Sequence, residues 1–277
     1  MLTKLDAVIL AGGLGTRLRS VVQDRPKVLA EIAGRPFLTY LLDQLIYAGI
    51  SKVVLCTGYR SNQVRDVLGD EYRGLGITYS IEAFPLGTAG ALRLALPLLR
   101  ADTALVINGD SYCDADFASF LHWHENRQAM VSLLLTKVDD TQRFGRVQVA
   151  ENGTVTTFHE KGIFSGPGLI SAGVYLISRN LLVSIAGGTA ASLEREVFPR
   201  GVGHGLYGFE TESLFIDIGT PDAFASAESF FSNEVCQLPG NNGLQCKRCG
   251  HSFDVHDVND NYERNCLECG DCYDFEF

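Results

Sequence analysis

Ala7-Val8-Ile9-Leu10-Ala11-Gly12-Gly13-Leu14-Gly15-Thr16-Arg17-Leu18 runs a short apolar segment directly into a glycine-rich loop. Residues 7–11 read as a buried strand. The missing side chains of Gly12, Gly13 and Gly15 let backbone N–H groups approach a bound anion closely. Two common glycine loops do not fit. A dinucleotide-binding turn has a third small residue where Leu18 stands, and a P-loop closes on Gly-Lys-Ser/Thr. Between Gly12 and Ala30 the charges are Arg17, Arg19, Arg25 and Lys27 against Asp24 alone, a positive segment suited to a phosphorylated ligand.

Outward from that loop, apolar β-rich runs at residues 53–57, 77–81, 103–108 and 130–137 alternate with amphipathic segments at 37–48, 62–68, 88–99 and 117–126. Short apolar strands separated by helices predict an α/β fold with a mainly parallel sheet covered on both faces. Such a sheet binds ligands beyond the C-terminal ends of its strands, where the glycine loop sits. After Val138 the pattern changes. Runs at 145–150 and 154–159 flank Asn152-Gly153, which suits a tight hairpin because both positions tolerate positive φ, and so predicts a mixed-sheet insertion. A strand at 169–178, a helix near 193–198 and a strand at 214–218 follow. Thr220-Pro221-Asp222 then fits the N-cap, N1 and N2 of a last helix reaching about Phe231.

With 277 residues, 46% of them apolar, the chain can bury one large core and carry a small module beside it. A net charge of −10 argues against a surface that tracks DNA or RNA, which needs clustered Lys and Arg. No apolar stretch reaches membrane-spanning length, and Met1 to Lys4 lead into a run too short for a secretory signal, so a cytoplasmic location is expected. Cys56 and Cys113 read as small core residues.

Composition shifts at Asn233, where nine carboxylates meet three basic residues up to the end. Pro239-Gly240-Asn241-Asn242-Gly243 reads as a linker. The expected division is a large domain at 1–232, a linker at 233–243 and a small module at 244–277. In that module Cys246-x-x-Cys249 and Cys266-x-x-Cys269, separated by sixteen residues, have the knuckle spacing of a zinc ribbon. Four thiolates leave no open coordination position, so the Zn²⁺ would be structural and would supply the folding free energy of the tail. Iron in a rubredoxin-like site uses the same knuckles, and two disulfides are the alternative in an oxidising compartment. The module is open to docking or oligomer contacts.

Further residues follow the loop in order: Arg25-Pro26-Lys27, Pro85-Leu86-Gly87-Thr88-Ala89-Gly90, Asn108-Gly109-Asp110, Phe158-His159-Glu160-Lys161 and Ile216-Asp217-Ile218-Gly219-Thr220-Pro221. With Ala11 to Leu18, this set resembles the sugar-phosphate guanylyl-, thymidylyl- and uridylyltransferases over about residues 5–232. The resemblance implies a Rossmann-like, mixed but mainly parallel sheet flanked by helices, of the nucleotide-diphospho-sugar transferase type. It implies that a sugar 1-phosphate attacks the α-phosphorus of a nucleoside triphosphate and releases pyrophosphate. It assigns Leu10, Ala11, Gly12, Gly13, Gly15, Thr16, Arg17, Glu82, Pro85, Gly87, Thr88, Asn108 and Asp110 to the nucleotide. Gly145, Glu160, Lys161 and Ser171 fall to the sugar phosphate, and Asp110 and Asp217 to Mg²⁺.

Joining two polyanions is mainly a matter of positioning and charge neutralisation. On the resemblance, Arg17 holds the β- and γ-phosphates, Lys27 neutralises the α-phosphate and Lys161 meets the sugar phosphate. Hard carboxylate oxygens suit Mg²⁺, which takes one or two of them plus phosphates and waters. Glu82 stands where thymidylyl and uridylyl relatives tend to carry Gln, and a carboxylate accepts from both adjacent donors on the edge of guanine, which favours GTP. Gly13 to Val22, Asp24 to Lys27, Ala33 to Leu38, Tyr79 to Glu82 and Phe144-Gly145 look like D-glycero-D-manno-heptose 1-phosphate guanylyltransferases, with mannose 1-phosphate enzymes as near neighbours. Ser171 departs from the Asn usual in relatives, so the sugar differs or is held through water. The rival readings are thymidylyl or uridylyl transfer to a hexose 1-phosphate, and a non-catalytic nucleotide-sugar-sensing subunit. Retention of Arg17, Lys27, Asp110 and Asp217 favours an enzyme.

Overall fold

The computed structural model describes residue 2, residues 5–159 and 161–234, and two strands at 256–258 and 264–266. The chain divides into two compact units, Met1–Ala225 and Ser226–Phe277.

The first unit is built on a mixed, mainly parallel sheet. Strand β1 (Asp6–Leu10) lies between β4 (Lys52–Thr57) and β7 (Thr103–Asn108), parallel to both. Val8, Ile9, Leu55, Leu105 and Val106 are all buried, as expected of central strands covered on both faces. β6 (Leu75–Ile81) extends the parallel ladder beyond β4, and the two-residue β5 (Glu71–Tyr72) closes that edge antiparallel. Between β1 and β4 come a small hairpin, β2 (Glu31–Ile32) with β3 (Arg35–Pro36), and helix α1 (Phe37–Tyr47). α1 is buried on almost every side, Asp43 included. Its carboxylate accepts from Arg35 and, at 2.9 Å, from Arg73, the pairing that lets a charge sit in a packed layer. Helices α2 (Ser61–Leu68), α3 (Gly87–Ala95) and α4 (Phe117–Asn126) make the other crossovers.

The strand expected at 130–137 is present as β9 (Val131–Val138), but not as a further parallel strand on β7. β12 (Gly168–Ser178) takes that place, antiparallel to β7, and β9 lies antiparallel on the far edge of β12 with β13 (Leu206–Thr211) parallel beyond it. Burial on both faces gives β9 the same apolar run in either direction, so its sequence carries no sign of its neighbour. β12 has a bulge: Ser171 faces Leu135 and Tyr175 faces Leu133, so four steps of one strand span two of the other. Gly173 lies inside the bulge at φ +77°.

The predicted hairpin is β10 (Val147–Val149) with β11 (Val155–Phe158), and its two turn residues act differently. Only Gly153 has positive φ. Gly153 N–H donates to Ala150 C=O at 2.8 Å, and the Asn152 side chain accepts from Thr154 N–H at 3.0 Å. Asn152 therefore serves through its side chain rather than through a left-handed backbone. Two three-residue strands, β8 (Ser111–Cys113) and β14 (Phe215–Asp217), pair antiparallel. Helix α5 (Arg179–Ser184) follows β12, and the helix expected near 193–198 is a π-helical turn at Leu193–Val197 leading into α6 (Phe198–Gly201). Helix α7 (Pro221–Glu234) starts as predicted, with Thr220 Oγ1 accepting from Ala223 N–H at 3.4 Å.

In the second unit the antiparallel strands β15 (His256–Val258) and β16 (Arg264–Cys266) are described. The proposed zinc ligands Cys246, Cys249 and Cys269 lie outside the described residues, as does the side chain of Cys266. No helix among the described residues is long and apolar enough to cross a membrane.

Candidate active site

The glycine loop leaves the sheet where three strands end together. Ala11 N–H still donates to Cys56 C=O at 2.8 Å, and Gly109 N–H to Leu10 C=O at 2.9 Å. A Cβ on Gly109 would lie 2.7 Å from that carbonyl, so the residue after β7 must be glycine for the strand ends to close. Gly15 takes φ +59° and starts a single 3₁₀ turn, Thr16–Leu18, which buries Leu18 and leaves Arg17 exposed at the loop mouth. Gly12 has a steric reason too: a Cβ there would sit 2.5 Å from Glu82 Oε1.

Behind the loop lies a cluster of charge. Pro26 precedes a 3₁₀ turn, Lys27–Leu29, whose apolar residues anchor it and leave Lys27 Nζ 2.7 Å from Asp110 Oδ2. The β8–β14 ladder sets Asp217 opposite Ser111, and Ile218 N–H donates to Asp110 C=O at 3.0 Å. Two aspartates far apart in sequence thereby face one another across Ser111, whose Oγ is 3.4 Å from Asp110 Oδ1 and 3.5 Å from Asp217 Oδ2. Burial opposes the ionisation of Asp110, but the Lys27 ammonium, helped by Arg17 and Ser111, outweighs it and holds this carboxyl below its usual range. Asp217 goes the other way. Burial, and then the negative charge of Asp110, raise it despite Lys27, the Gly219 N–H at 2.8 Å and Arg143 at 3.4 Å.

Every residue assigned by sequence to the nucleotide lines one cleft of about 530 Å³, together with Lys27, Lys161, Ser171 and Asp217. Glu82 projects between Gly12 and Gly58, and its Oε2 accepts from Leu86 N–H at 3.0 Å. Burial raises its carboxyl, against that hydrogen bond. Gly145 does not line the cleft: it is a buried turn residue at φ +83°, while its neighbours Arg143 and Phe144 face the space. Glu160 lies outside the described residues. Arg143, Ser111 and Glu194 line the cleft without having been singled out by sequence. Cys56 also borders it as a core residue, its thiol pushed up to about 12 by burial and then by Glu82.

The sequence matches the nucleotidyl transferase family over residues 6–234. The chain belongs to that family. It is 38% identical over 252 residues to the mannose-1-phosphate guanylyltransferase of Mycobacterium tuberculosis, covering 90% of this chain and 70% of the relative. It is 36% identical over 225 residues to the D-glycero-alpha-D-manno-heptose 1-phosphate guanylyltransferase of Aneurinibacillus thermoaerophilus, covering 81% and 97%. The crystal structure of HddC from Yersinia pseudotuberculosis superposes with a TM-score of 0.74 at 34% identity, over 82% of this chain and 99% of that one. The same protein complexed with GMP-PN gives a TM-score of 0.73.

For this nucleotidyl transferase, the donor set tests whether a divalent cation fits. Among the described residues no group of three or more His, Cys, Asp or Glu could hold a metal by itself. The Asp110 and Asp217 pair suits Mg²⁺ rather than a softer ion, because Mg²⁺ binds one or two carboxylates and completes its shell with waters and substrate phosphates. Burial, and after it the negative charge of Asp110, raise the Asp217 carboxyl, and a divalent cation between the two would offset both.

Proposed function

We propose that this enzyme transfers GMP from GTP to a sugar 1-phosphate of the mannose or manno-heptose type, releasing pyrophosphate. The observation that carries the reading is the meeting, in one cleft, of the glycine loop and the Lys27, Asp110 and Asp217 cluster. The named activities of its relatives supply the base and sugar class. The loop amides of residues 11–15 and Arg17 take the β- and γ-phosphates, as fits a mouth with an exposed guanidinium. Lys27 meets the α-phosphate, where negative charge shifts during in-line attack. Lys161, an exposed residue of the cleft lining, receives the sugar phosphate, and Ser171 faces the sugar. Asp110 and Asp217 hold Mg²⁺, which when bound neutralises phosphate charge and orients the leaving pyrophosphate.

The test is pyrophosphate release across four nucleoside triphosphates and several sugar 1-phosphates, with Asp110→Asn as control. Turnover only with UTP or dTTP overturns the guanylyl assignment, and nucleotide-sugar binding without turnover favours a sensing subunit.

Glu82 reads the base. Glu82→Gln keeps an acceptor for Leu86 N–H, so the loop survives and the change isolates the edge of guanine. A hydrogen bond to a charged group contributes about 1.5–3 kcal/mol, so the GTP-over-UTP preference in kcat/KM is expected to fall by about 10- to 100-fold. An unchanged preference refutes the assignment.

The division into a domain at 1–232, a linker at 233–243 and a module at 244–277 stands as part of this proposal. So does a structural Zn²⁺ on Cys246, Cys249, Cys266 and Cys269, which rests on their spacing. Freshly purified protein is expected to carry about one zinc per chain, and absence of zinc and iron refutes the site.

A further inference from the structure

Glu194 is a carboxylate in a cleft built for anions, and neither the metal pair nor the base-reading position accounts for it. It sits in the π-helical turn Leu193–Val197, a geometry that often marks a functional site. Its Oε2 accepts from Thr88 Oγ1 and from Ser192 Oγ, each at 2.9 Å. Its Oε1 accepts from the Tyr175 hydroxyl at 3.3 Å. Thr88 Oγ1 also accepts from Leu193 N–H at 2.8 Å, so α3 and the π-helical turn hold the carboxylate from both sides. Among the described residues Glu194 forms no ion pair. Three neutral hydroxyls fix it in place and none cancels its charge.

The phosphates travel past Arg17, Lys27 and Lys161, and an uncompensated carboxylate repels them. What it favours is the uncharged, donor-rich part of a substrate. The residues beside it match that reading. Tyr175 is fully buried, and its hydroxyl stands among Asn108, Ser171 and Glu194. Burial, then the Glu194 charge, push that phenol well above its usual range, so it stays a donor. Asn108 Oδ1 is buried without a hydrogen-bond partner, a second acceptor awaiting a donor. The bulge at Gly173 brings Ser171 into the same space, and a Cβ on Gly173 would crowd Asn108 at 3.1 Å.

We infer that Glu194 is the specificity-determining residue for the sugar, accepting hydrogen bonds from ring hydroxyls of the sugar 1-phosphate. This rests on the guanylyltransferase reading. It predicts that the site selects substrates with free hydroxyls there and rejects ring positions bearing a carboxylate, which meets like charge.

The experiment compares wild type, Glu194→Gln and Glu194→Asp in steady-state turnover of GTP with mannose 1-phosphate and its 2-, 3- and 4-deoxy analogues. Glu194→Gln is expected to lower kcat/KM for mannose 1-phosphate by about 10- to 100-fold, the usual consequence of removing a charged acceptor, with KM for GTP within about twofold of wild type. The loss should disappear for the analogue lacking the hydroxyl that Glu194 binds. Glu194→Asp, which keeps the charge but withdraws it by one methylene, should lose less and show its loss at the same hydroxyl. Equal losses with all analogues, or a loss carried by KM for GTP, overturn the inference. If Glu194→Gln does not fold, Glu194→Asp decides by the same criterion. Absence of wild-type turnover with any substrate pair refutes the guanylyltransferase reading itself, whereas turnover without hydroxyl coupling refutes only the role of Glu194.

Discussion

Asp110→Asn is expected to lower kcat/KM for nucleotidyl transfer by about 10³-fold, or ~4 kcal/mol of transition-state stabilisation. The amide keeps the shape of the side chain and removes its charge, on which both of its partners depend. In the native protein Asp110 Oδ2 holds Lys27 Nζ at 2.7 Å and Asp110 is one of the two proposed Mg²⁺ ligands. With Asn, the cation site has one carboxylate left and Lys27 loses the partner that fixes its ammonium. Pyrophosphate release measures the effect, and the Mg²⁺ concentration for half-maximal rate should rise in parallel. A variant within about tenfold of wild type removes Asp110 from the catalytic cluster.

The same substitution has a stability signature. Asp110 has a lowered carboxyl, so its ionised form stabilises the fold fully above the ordinary carboxylate range, and this contribution is lost as pH falls through the lowered value. Its side chain is 37% exposed, so solvent limits the contribution to about 1 kcal/mol at neutral pH. Asp110→Asn should therefore melt below wild type at pH 7. The gap should begin to narrow below about pH 4, where the carboxyl of the unfolded chain takes up its proton, and close as pH falls through the lowered value of the folded state.

The parts of this site that sequence could reveal are those whose chemistry is unusual at a single position. A strand followed by Gly12, Gly13 and Gly15, with an Arg and a Lys close behind in an otherwise acidic chain, is legible as an anion site. An aspartate at a strand end, by contrast, ordinarily makes a turn or cap and gains its meaning only from the ordered motifs around it. The structure gathers them because β1, β4 and β7 end together and β14 folds onto β8. In that second pairing β14 answers to the strand expected at 214–218, but β8 has three residues and no hydrophobic period to declare it, so only the order of motifs linked Asp110 to Asp217. Sheet direction was equally silent: β9 is buried on both faces whether its neighbour is parallel or antiparallel.

Glu194 and Arg143 were missed for a different reason. Ser192-Leu193-Glu194-Arg195-Glu196-Val197 reads as one more charged helical turn with an apolar face, and nothing local tells Glu194 from Glu196. The difference is made by Thr88 and Tyr175, distant in sequence and brought alongside by α3 and the β12 bulge. Arg143 lies in a loop where an arginine is ordinarily a solvated residue, and only the approach of β14 sets it 3.4 Å from Asp217. Gly145 shows the converse. Its motif is right for the neighbourhood, yet the cleft is lined by the residues before it.

Asp217→Asn is expected to lower kcat/KM by about 10²- to 10³-fold and at the same time to raise the Tm of the Mg²⁺-free protein at pH 7. The two effects have one cause. Burial, then the nearby negative charge of Asp110, raise the Asp217 carboxyl, so its ionised form at neutral pH costs folding free energy. For a raised carboxyl the folded state binds the proton more readily than the unfolded chain, so the cost fades as pH falls through the raised value. Asn removes the charge at every pH, and its side-chain oxygen can still accept from Gly219 N–H, as Asp217 Oδ1 does at 2.8 Å. The lost pair with Arg143 is a small debit, since that guanidinium side chain is 43% exposed. The stability gain over wild type should be largest near neutrality, shrink on acidification, and shrink again when Mg²⁺ is added, because the cation stabilises only the protein that binds it. A variant that loses activity and also melts lower without Mg²⁺ would make Asp217 a structural residue. Loss of activity with gain of stability means that the fold carries two crowded carboxylates because the reaction needs both, with Lys27 stabilising Asp110 while Asp217 awaits a cation.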